Sequence, residues 1–261
     1  MKVAIVYICT GKYQIFFDNF YNTCESNFLN DNSKHYFVWS EKETDKNNVT
    51  NIFRESKGFP YDSLMRFHFF LEIESELKKF DYVFFFNSNT VFKNKLKFDE
   101  IPKSDLVCFT GLGHERYKRF PCFFPYERNK KSNAYIPRLK YNYKYVSGAI
   151  FGGKTGPFLD LCHRIKNWID EDDMIGILPI FHDESYLNKY HFLYSDKISL
   201  MNYIYCISEE TANIKQINAK IVFESKEKYG DYFIKRKRHL SSHILHLFNK
   251  LTHALRWYLN F

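Results

Sequence analysis

Residues 147–155 read SGAIFGGKT, in which Gly148, Gly153, Lys154 and Thr155 fill the fixed positions of G-x-x-x-x-G-K-[ST]. That pattern describes a loop whose backbone N–H groups cradle phosphates while the lysine and hydroxyl reach the phosphates and a magnesium ion. A helix candidate, Pro157–Trp168, follows it, and ILPIFHDE (177–184) imitates an apolar strand ending in a magnesium-holding acid. A nucleotidase reading of Gly148–Thr155 is therefore open. Its position argues against it: such a loop closes the first strand of its domain, and only about 110 residues remain after Gly148. The element ahead of it, YNYKYVS, is also more polar than a buried parallel strand.

A different nucleotide chemistry is offered by FFFNSNTVF (84–92). An apolar strand ending in two aspartates one residue apart can hold a divalent cation against the diphosphate of a nucleotide-sugar. Here those positions are Asn87 and Asn89, which bring no charge and make a poor site for a hard dication. A donor site built this way is expected to need no metal. Alone, Asn-Ser-Asn is an ordinary turn. Alone, too, the cluster His182-Asp183-Glu184-Ser185 is an ordinary helix start.

These groups need a scaffold, and 261 residues with 45% hydrophobic content are enough for one large domain with a real core. Twenty tyrosines and 28 phenylalanines favour strands and deep apolar packing. The net charge of +8 implies attraction to phosphates, on a nucleotide, a nucleic acid or an anionic membrane. No recognised nucleic-acid motif accompanies it, and no nucleic-acid partner is expected. The six cysteines form no C-x-x-C pair, which points to a reducing cytosol rather than a zinc ribbon or disulfide scaffold. MKVAIVYICT reads as a first core strand, not a signal peptide, and no run reaches the ~20 apolar residues of a membrane span.

Val3–Cys9 is a buried-strand pattern followed by helical spacing of Ile15, Phe16, Phe20 and Cys24. His35–Ser40 predicts a second strand, and the polar run 41–50 a surface connection. Tyr61–Phe80 predicts one amphipathic helix, Asp81–Phe86 a central strand, Phe109–Arg138 a long loop, and Tyr141–Phe151 a further strand. The alternation argues for an α/β fold with a mainly parallel sheet flanked by helices. After the basic run Lys235–Arg238, Leu240, Ile244, Leu247, Leu251, Leu255 and Tyr258 recur at helical intervals, with Trp257 and Phe261 nearby. Residues 239–261 thus predict an amphipathic helix that lies on an anionic membrane or packs on the domain or a partner.

YICTGKY (7–13), FPYDSLMRF (59–67), DYVFFFNSNTVF (81–92), FFPYERNKKSNAYIP (123–137), KYVSGAIFGGKT (144–155) and FHDESYLNKY (181–190) occur in the order and approximate spacing of one family. The chain resembles the retaining α-1,3-galactosyl- and α-1,3-N-acetylgalactosaminyltransferases that include the ABO blood-group enzymes, and is closest to their bacterial members with N-x-N in place of D-x-D. The resemblance covers about residues 1–230. It implies a GT-A nucleotide-diphosphosugar transferase fold for a catalytic domain 1–238, apart from the helix 239–261.

The resemblance also assigns roles. Ile8, Cys9, Thr10 and Tyr13 become candidates for the uridine, with Asn87 and Asn89 at the diphosphate. Arg66 would reach donor sugar and diphosphate through its fork of donors. Glu184 matches the acid beneath the anomeric carbon, as nucleophile or as stabiliser of a same-face reaction. His182 and Asp183 would bind sugar hydroxyls, with Asp183 orienting Arg66. Lys226, and one of Lys235, Arg236 or Arg238, would close over the diphosphate. Ser147, Gly148 and Ala149 align with the sugar-selecting tripeptide; the small Ser147 and Gly148 favour N-acetylgalactosamine, while alanine at the third position also occurs with galactose. Two departures concern the acceptor: the HPGFY loop reads GHERY (113–117), shifting His114 by one, and the tryptophan before HDES is Phe181. His114, Phe181 and Tyr205 are the acceptor-side candidates.

Together these roles imply transfer from a UDP-sugar to O3 of a terminal galactoside, fucosylated or not, on a surface glycan, with no metal or other cofactor expected. The site would be cytoplasmic, or at the inner face of the membrane through the tail. A degenerate module that binds UDP without turnover is the rival reading.

Overall fold

The computed structural model describes residues 1–138, 143–233, 251–252 and 254–259. Strand β1 (Lys2–Ile8) shows how the sheet arises: Val3, Ile5 and Tyr7 pack on one face, Ala4 and Val6 on the other. A strand apolar on both sides must be covered on both. Along the chain follow α1 (Phe17–Asn27), β2 (Ser33–Ser40), β3 (Val49–Phe53), α2 (Tyr61–Leu64), α3 (Arg66–Glu72), α4 (Glu74–Leu77), β4 (Tyr82–Phe86) and β5 (Thr90–Phe92). Then come β6 (Leu106–Phe109), α5 (Leu112–Arg116), β7 (Ser147–Lys154), α6 (Thr155–Met174), α7 (His182–Leu193), β8 (Ile198–Met201), β9 (Ile207–Ser208), α8 (Glu209–Ile214) and β10 (Ile221–Phe223).

The large sheet has the order β3-β2-β1-β4-β7-β6-β8. Only β7 runs antiparallel to its neighbours, and the remaining pairs are parallel, as the alternating pattern predicts. Phe67, Phe70, Phe158 and Ile165 of α3 and α6 cover one face; Phe20 and Cys24 of α1 cover the other. Each such phenylalanine contributes about 1.5–3 kcal/mol relative to an exposed one. A smaller sheet, β5-β10-β9, ties the C-terminal part of the chain to the strand that carries the Asn-Ser-Asn turn.

Several expectations need correction. The predicted helix Tyr61–Phe80 is three pieces, broken at Met65 and Ile73. Arg66, Phe67, Phe69 and Phe70 are all buried, more than one helical stripe can present to a core, and the breaks re-aim the axis. The strand predicted from Tyr141 begins at Ser147. Val146 cannot extend it because the Asn188 side chain takes its backbone groups, accepting from Val146 N and donating to Val146 O, each at 2.9 Å. Residues 139–142 lie outside the described residues. The edge strand β3 falls inside and beyond the predicted connection because only Val49, Ile52 and Phe53 in it are apolar. The predicted loop 109–138 contains α5 and a short 3-10 turn at Pro121–Phe123.

The whole basic run Lys235–Arg238 and the first half of the tail, with Leu240, Ile244 and Leu247, lie outside the described residues. In the described part, Ala254 and Trp257 are buried, with the Arg128 guanidinium 4.1 Å from the Trp257 ring. Leu251, Leu255 and Tyr258, the expected apolar stripe, are about half exposed. The domain is met by Ala254 and Trp257, one position off that stripe, and by Tyr258, whose ring centre lies 4.9 Å from the Arg138 guanidinium. Among the described residues no helix is long and apolar enough to cross a membrane.

Candidate active site

Because β7 opposes its neighbours, its first residues lie at the edge where the parallel strands end. Phe86 pairs with Ile150, and Asn87 N donates to Ala149 O at 2.8 Å. Open α/β sheets bind ligands at this carboxyl edge. Helix α7 starts over it, with His182 at φ +45°, a left-handed conformation that costs a non-glycine residue.

Four predicted residues converge here. Gly148 N donates to Glu184 Oε2 at 2.6 Å, and Gly148 O accepts from Arg66 Nη1 at 2.7 Å. Arg66 also pairs through Nη2 with Asp183, and its guanidinium lies 4.7 Å from the Phe85 ring centre. A Cβ on residue 148 would stand 2.9 Å from Arg66 Nη2 and 3.0 Å from Glu184 Cβ, so the approach requires glycine. Ser147 and Ala149 flank it, half-buried. His182 is also half-buried and meets Phe59 edge-on at 4.8 Å.

The other carboxylate oxygen of Glu184 accepts from Tyr145 OH at 2.5 Å. Sequence reasoning assigned Tyr145 no role; its place two residues before the tripeptide was the available signal. Burial pushes the Glu184 pKa up, against the pull of Tyr145, Gly148 and Arg66. Burial likewise pulls the Arg66 guanidinium down, opposed by Glu184. A half-buried carboxylate held by two donors beside a buried cation is poised for charge stabilisation or attack at an electron-poor carbon.

The support is local. Asn188, one turn beyond Glu184, also donates to Glu184 O at 2.8 Å, locking α7 to the stretch before β7. Two carboxylates staple the loop 123–138 to the start of α7. Asp172, fully buried, accepts from Ser132 Oγ at 2.5 Å, Asn133 N at 2.8 Å and Tyr186 OH at 2.9 Å. Glu127 accepts from Ile180 N at 2.8 Å.

Across the edge, at the end of β1, Ile8 is half-buried and Cys9 lies in the core, where burial pushes its thiol up to about 12. Cys9 therefore offers a ligand its backbone only. Thr10 Oγ1 donates to Asp62 Oδ2 at 3.1 Å. Tyr13 is exposed, and Lys226 Nζ donates to its hydroxyl at 2.9 Å while lying 4.5 Å from the ring centre. Asn87 is exposed and donates to Asn89 Oδ1 at 3.1 Å; Asn89 Nδ2 donates to Glu224 O at 2.8 Å. Asn89 is thus a staple that holds the segment leading to Lys226.

His114 packs at a tilt against Tyr145 with ring centres 4.1 Å apart and, with Tyr145, lines a cavity of about 510 Å³. Burial holds the His114 imidazole down to about 4. Phe181 is exposed near the start of α7, and Tyr205 leans on Phe109; neither lines that cavity.

The geometry also speaks against the phosphate-loop reading. Gly152 and Gly153 are neither loop nor turn but strand residues paired with Phe84 and Val83. A Cβ on Gly152 would stand 2.4 Å from Phe84 Cδ1, and one on Gly153 2.3 Å from Asp105 O, so these glycines serve sheet packing. Lys154 faces out to Asp105 at 2.9 Å, and ILPI, ahead of α7, forms no strand.

A sequence profile described as glycosyltransferase family 6 matches residues 1–232. The chain is 35% identical over 237 residues to the O-antigen biosynthesis glycosyltransferase WbnI of Escherichia coli, covering 89% of this chain and 98% of that one. It is 26% identical over 209 residues to the globoside alpha-1,3-N-acetylgalactosaminyltransferase 1 of Gallus gallus, covering 74% of this chain and 58% of that one. A 67-residue stretch is 43% identical to the histo-blood group ABO system transferase 1 of Rattus norvegicus, covering 26% of this chain and 19% of that one.

Proposed function

The chain belongs to glycosyltransferase family 6, and from that premise we propose that it transfers α-linked N-acetylgalactosamine, or galactose, from its UDP form to O3 of a terminal galactoside of a surface glycan. The observation that carries this reading is the half-buried Glu184 carboxylate, fixed by Gly148 N and Tyr145 OH at the start of the strand bearing Ser147, Gly148 and Ala149. A donor sugar resting on that tripeptide would present its anomeric carbon to Glu184. The bond from that carbon to the diphosphate breaks, the bond to the acceptor oxygen forms, and the acceptor proton leaves with the departing UDP or reaches solvent. Glu184 acts by forming a glycosyl-enzyme or by stabilising the positive centre while both groups share one face; either route retains the α configuration.

Arg66 and Lys226 supply the positive charge that a metal would otherwise bring to the diphosphate. The Asn89 amide, already engaged with Glu224 O and Asn87, is unsuited to a dication. The reaction is therefore metal-independent. The small Ser147 and Gly148 leave room for an N-acetyl group and favour UDP-N-acetylgalactosamine. Residues 1–238 form the catalytic unit, and the half-exposed Leu251, Leu255 and Tyr258, with the basic run Lys235–Arg238, form a contact with the inner face of an anionic membrane.

The test is UDP release from UDP-N-acetylgalactosamine and UDP-galactose with lactose and fucosyl-lactose acceptors, with and without EDTA. Turnover in EDTA is expected. UDP protection against melting without release from any donor would favour a binding module instead.

A further inference from the structure

The cavity beside Tyr145 is the one described feature of the site whose charge the proposed reaction does not use. Its floor is apolar, from Phe124, Tyr145 and Leu200, while Lys118, Arg119 and Lys144 stand around it. The carboxylate in its lining is Glu115, and Lys118 pairs with it at 3.4 Å. Arg119 and Lys144 side chains have no ion-pair partner among the described residues, and both are exposed at the mouth. His114 adds no charge, since its imidazole is neutral throughout the physiological range. Three cations against one carboxylate leave the lining strongly positive. A neutral galactoside would gain only hydrogen bonds to its hydroxyls from such a lining, whereas a fixed anion would gain a charge-assisted bond, bidentate on arginine.

We propose that the acceptor is an anionic glycan: its terminal galactose lies on the apolar floor beside Tyr145, and a carboxylate or phosphate next to that sugar is held by Arg119 and Lys144. The inference rests on the transferase reading and adds to it the chemical class of the acceptor. The cavity of about 510 Å³ falls within the range of small-molecule sites and is large enough for more than the accepting sugar alone.

The experiment compares kcat/KM of the purified full-length protein on three acceptors with the same terminal galactose. One is neutral, one carries a uronate on the next sugar, and one is an alkyl diphosphate galactoside. UDP-sugar hydrolysis in water is followed in parallel. An anionic acceptor is expected to exceed the neutral one roughly tenfold at low salt, with the ratio shrinking as salt rises. Whichever anionic acceptor leads identifies the source of the charge. Arg119→Ala with Lys144→Ala is expected to bring the ratio near one, and Arg119→Lys with Lys144→Arg to restore it, with a melting curve confirming that each variant folds. Equal or better use of the neutral acceptor overturns the inference and leaves the transferase reading standing. A ratio unchanged in the double alanine variant also overturns it. Absence of UDP release with every acceptor and with water overturns the transferase reading and the inference with it.

Discussion

The amide of Gly148 donates to Glu184 Oε2 at 2.6 Å across a gap that no side chain can enter. The contact joins the one antiparallel strand of the large sheet to the helix that carries the proposed catalytic acid, so its geometry governs both.

Gly148→Ala tests that gap. The new methyl group would press on Arg66 Nη2 and Glu184 Cβ, and overpacking of this kind costs about 1–3 kcal/mol. A displacement of the acid by about 1 Å is enough for a roughly hundredfold fall in kcat. Steady-state kinetics with a melting curve check it; near-native kcat would refute the requirement for glycine.

Glu184→Gln is expected to lower transfer by about a hundredfold or more, and a loss below about tenfold would remove the residue from catalysis. The same change has a signed effect on stability. Burial raises the folded-state pKa of Glu184, so the native protein binds that proton more tightly than the unfolded chain. The stabilising contribution is complete below the ordinary carboxylate range and is lost as pH rises through the raised pKa. The variant should therefore gain melting temperature relative to wild type on going from about pH 4 to about pH 8. A difference that is constant with pH contradicts the buried-charge argument.

Tyr145→Phe removes the hydroxyl that favours the charged form of Glu184. The Glu184 pKa then rises further, and the acid limb of the kcat/KM profile moves to higher pH. An unmoved limb would show that the tyrosine bond is absent during turnover.

Asp172→Ala strands Ser132, Asn133 and Tyr186 together. Each buried group left unpaired costs about 1–3 kcal/mol, so urea unfolding should show a loss of about 3 kcal/mol or more. A loss within about 0.5 kcal/mol, the usual range for surface changes, would mean that the staple carries little of the stability.

Asn89→Asp replaces the donor to Glu224 O with a carboxylate facing that carbonyl. Metal-independent turnover is expected to fall roughly tenfold through looser placement of Lys226, with no rescue by manganese. Strong manganese rescue would show that the turn remains a latent dication site.

The parallel sheet was legible because its strands are apolar on both faces, as in Val3–Tyr7 and Val83–Phe86. The start of β7 was not, because a side chain rather than a strand takes the backbone of Val146, and periodicity carries no record of Asn188. Arg66, Asp183, Glu184 and Gly148 were named from motifs separated by up to 118 residues, Arg66 to Glu184, and they meet in space. Tyr145 went unassigned because a tyrosine in an aromatic-rich run reads as packing, and only the fold shows its hydroxyl on a carboxylate. The phosphate-loop pattern fails for the converse reason. It records residue types, whereas gripping a phosphate requires a loop, and Gly152 and Gly153 are strand residues paired with β4.

The reversed direction of β7 separates two duties within eight residues. Its opening residues face the ligand edge, while its closing glycines and the turn into α6 lie at the far side of the sheet, locked against β4 and β6. On the proposed reading, Ser147 or Ala149 can be exchanged, and the donor preference retuned, without disturbing the junction that holds α6, the longest helix among the described residues.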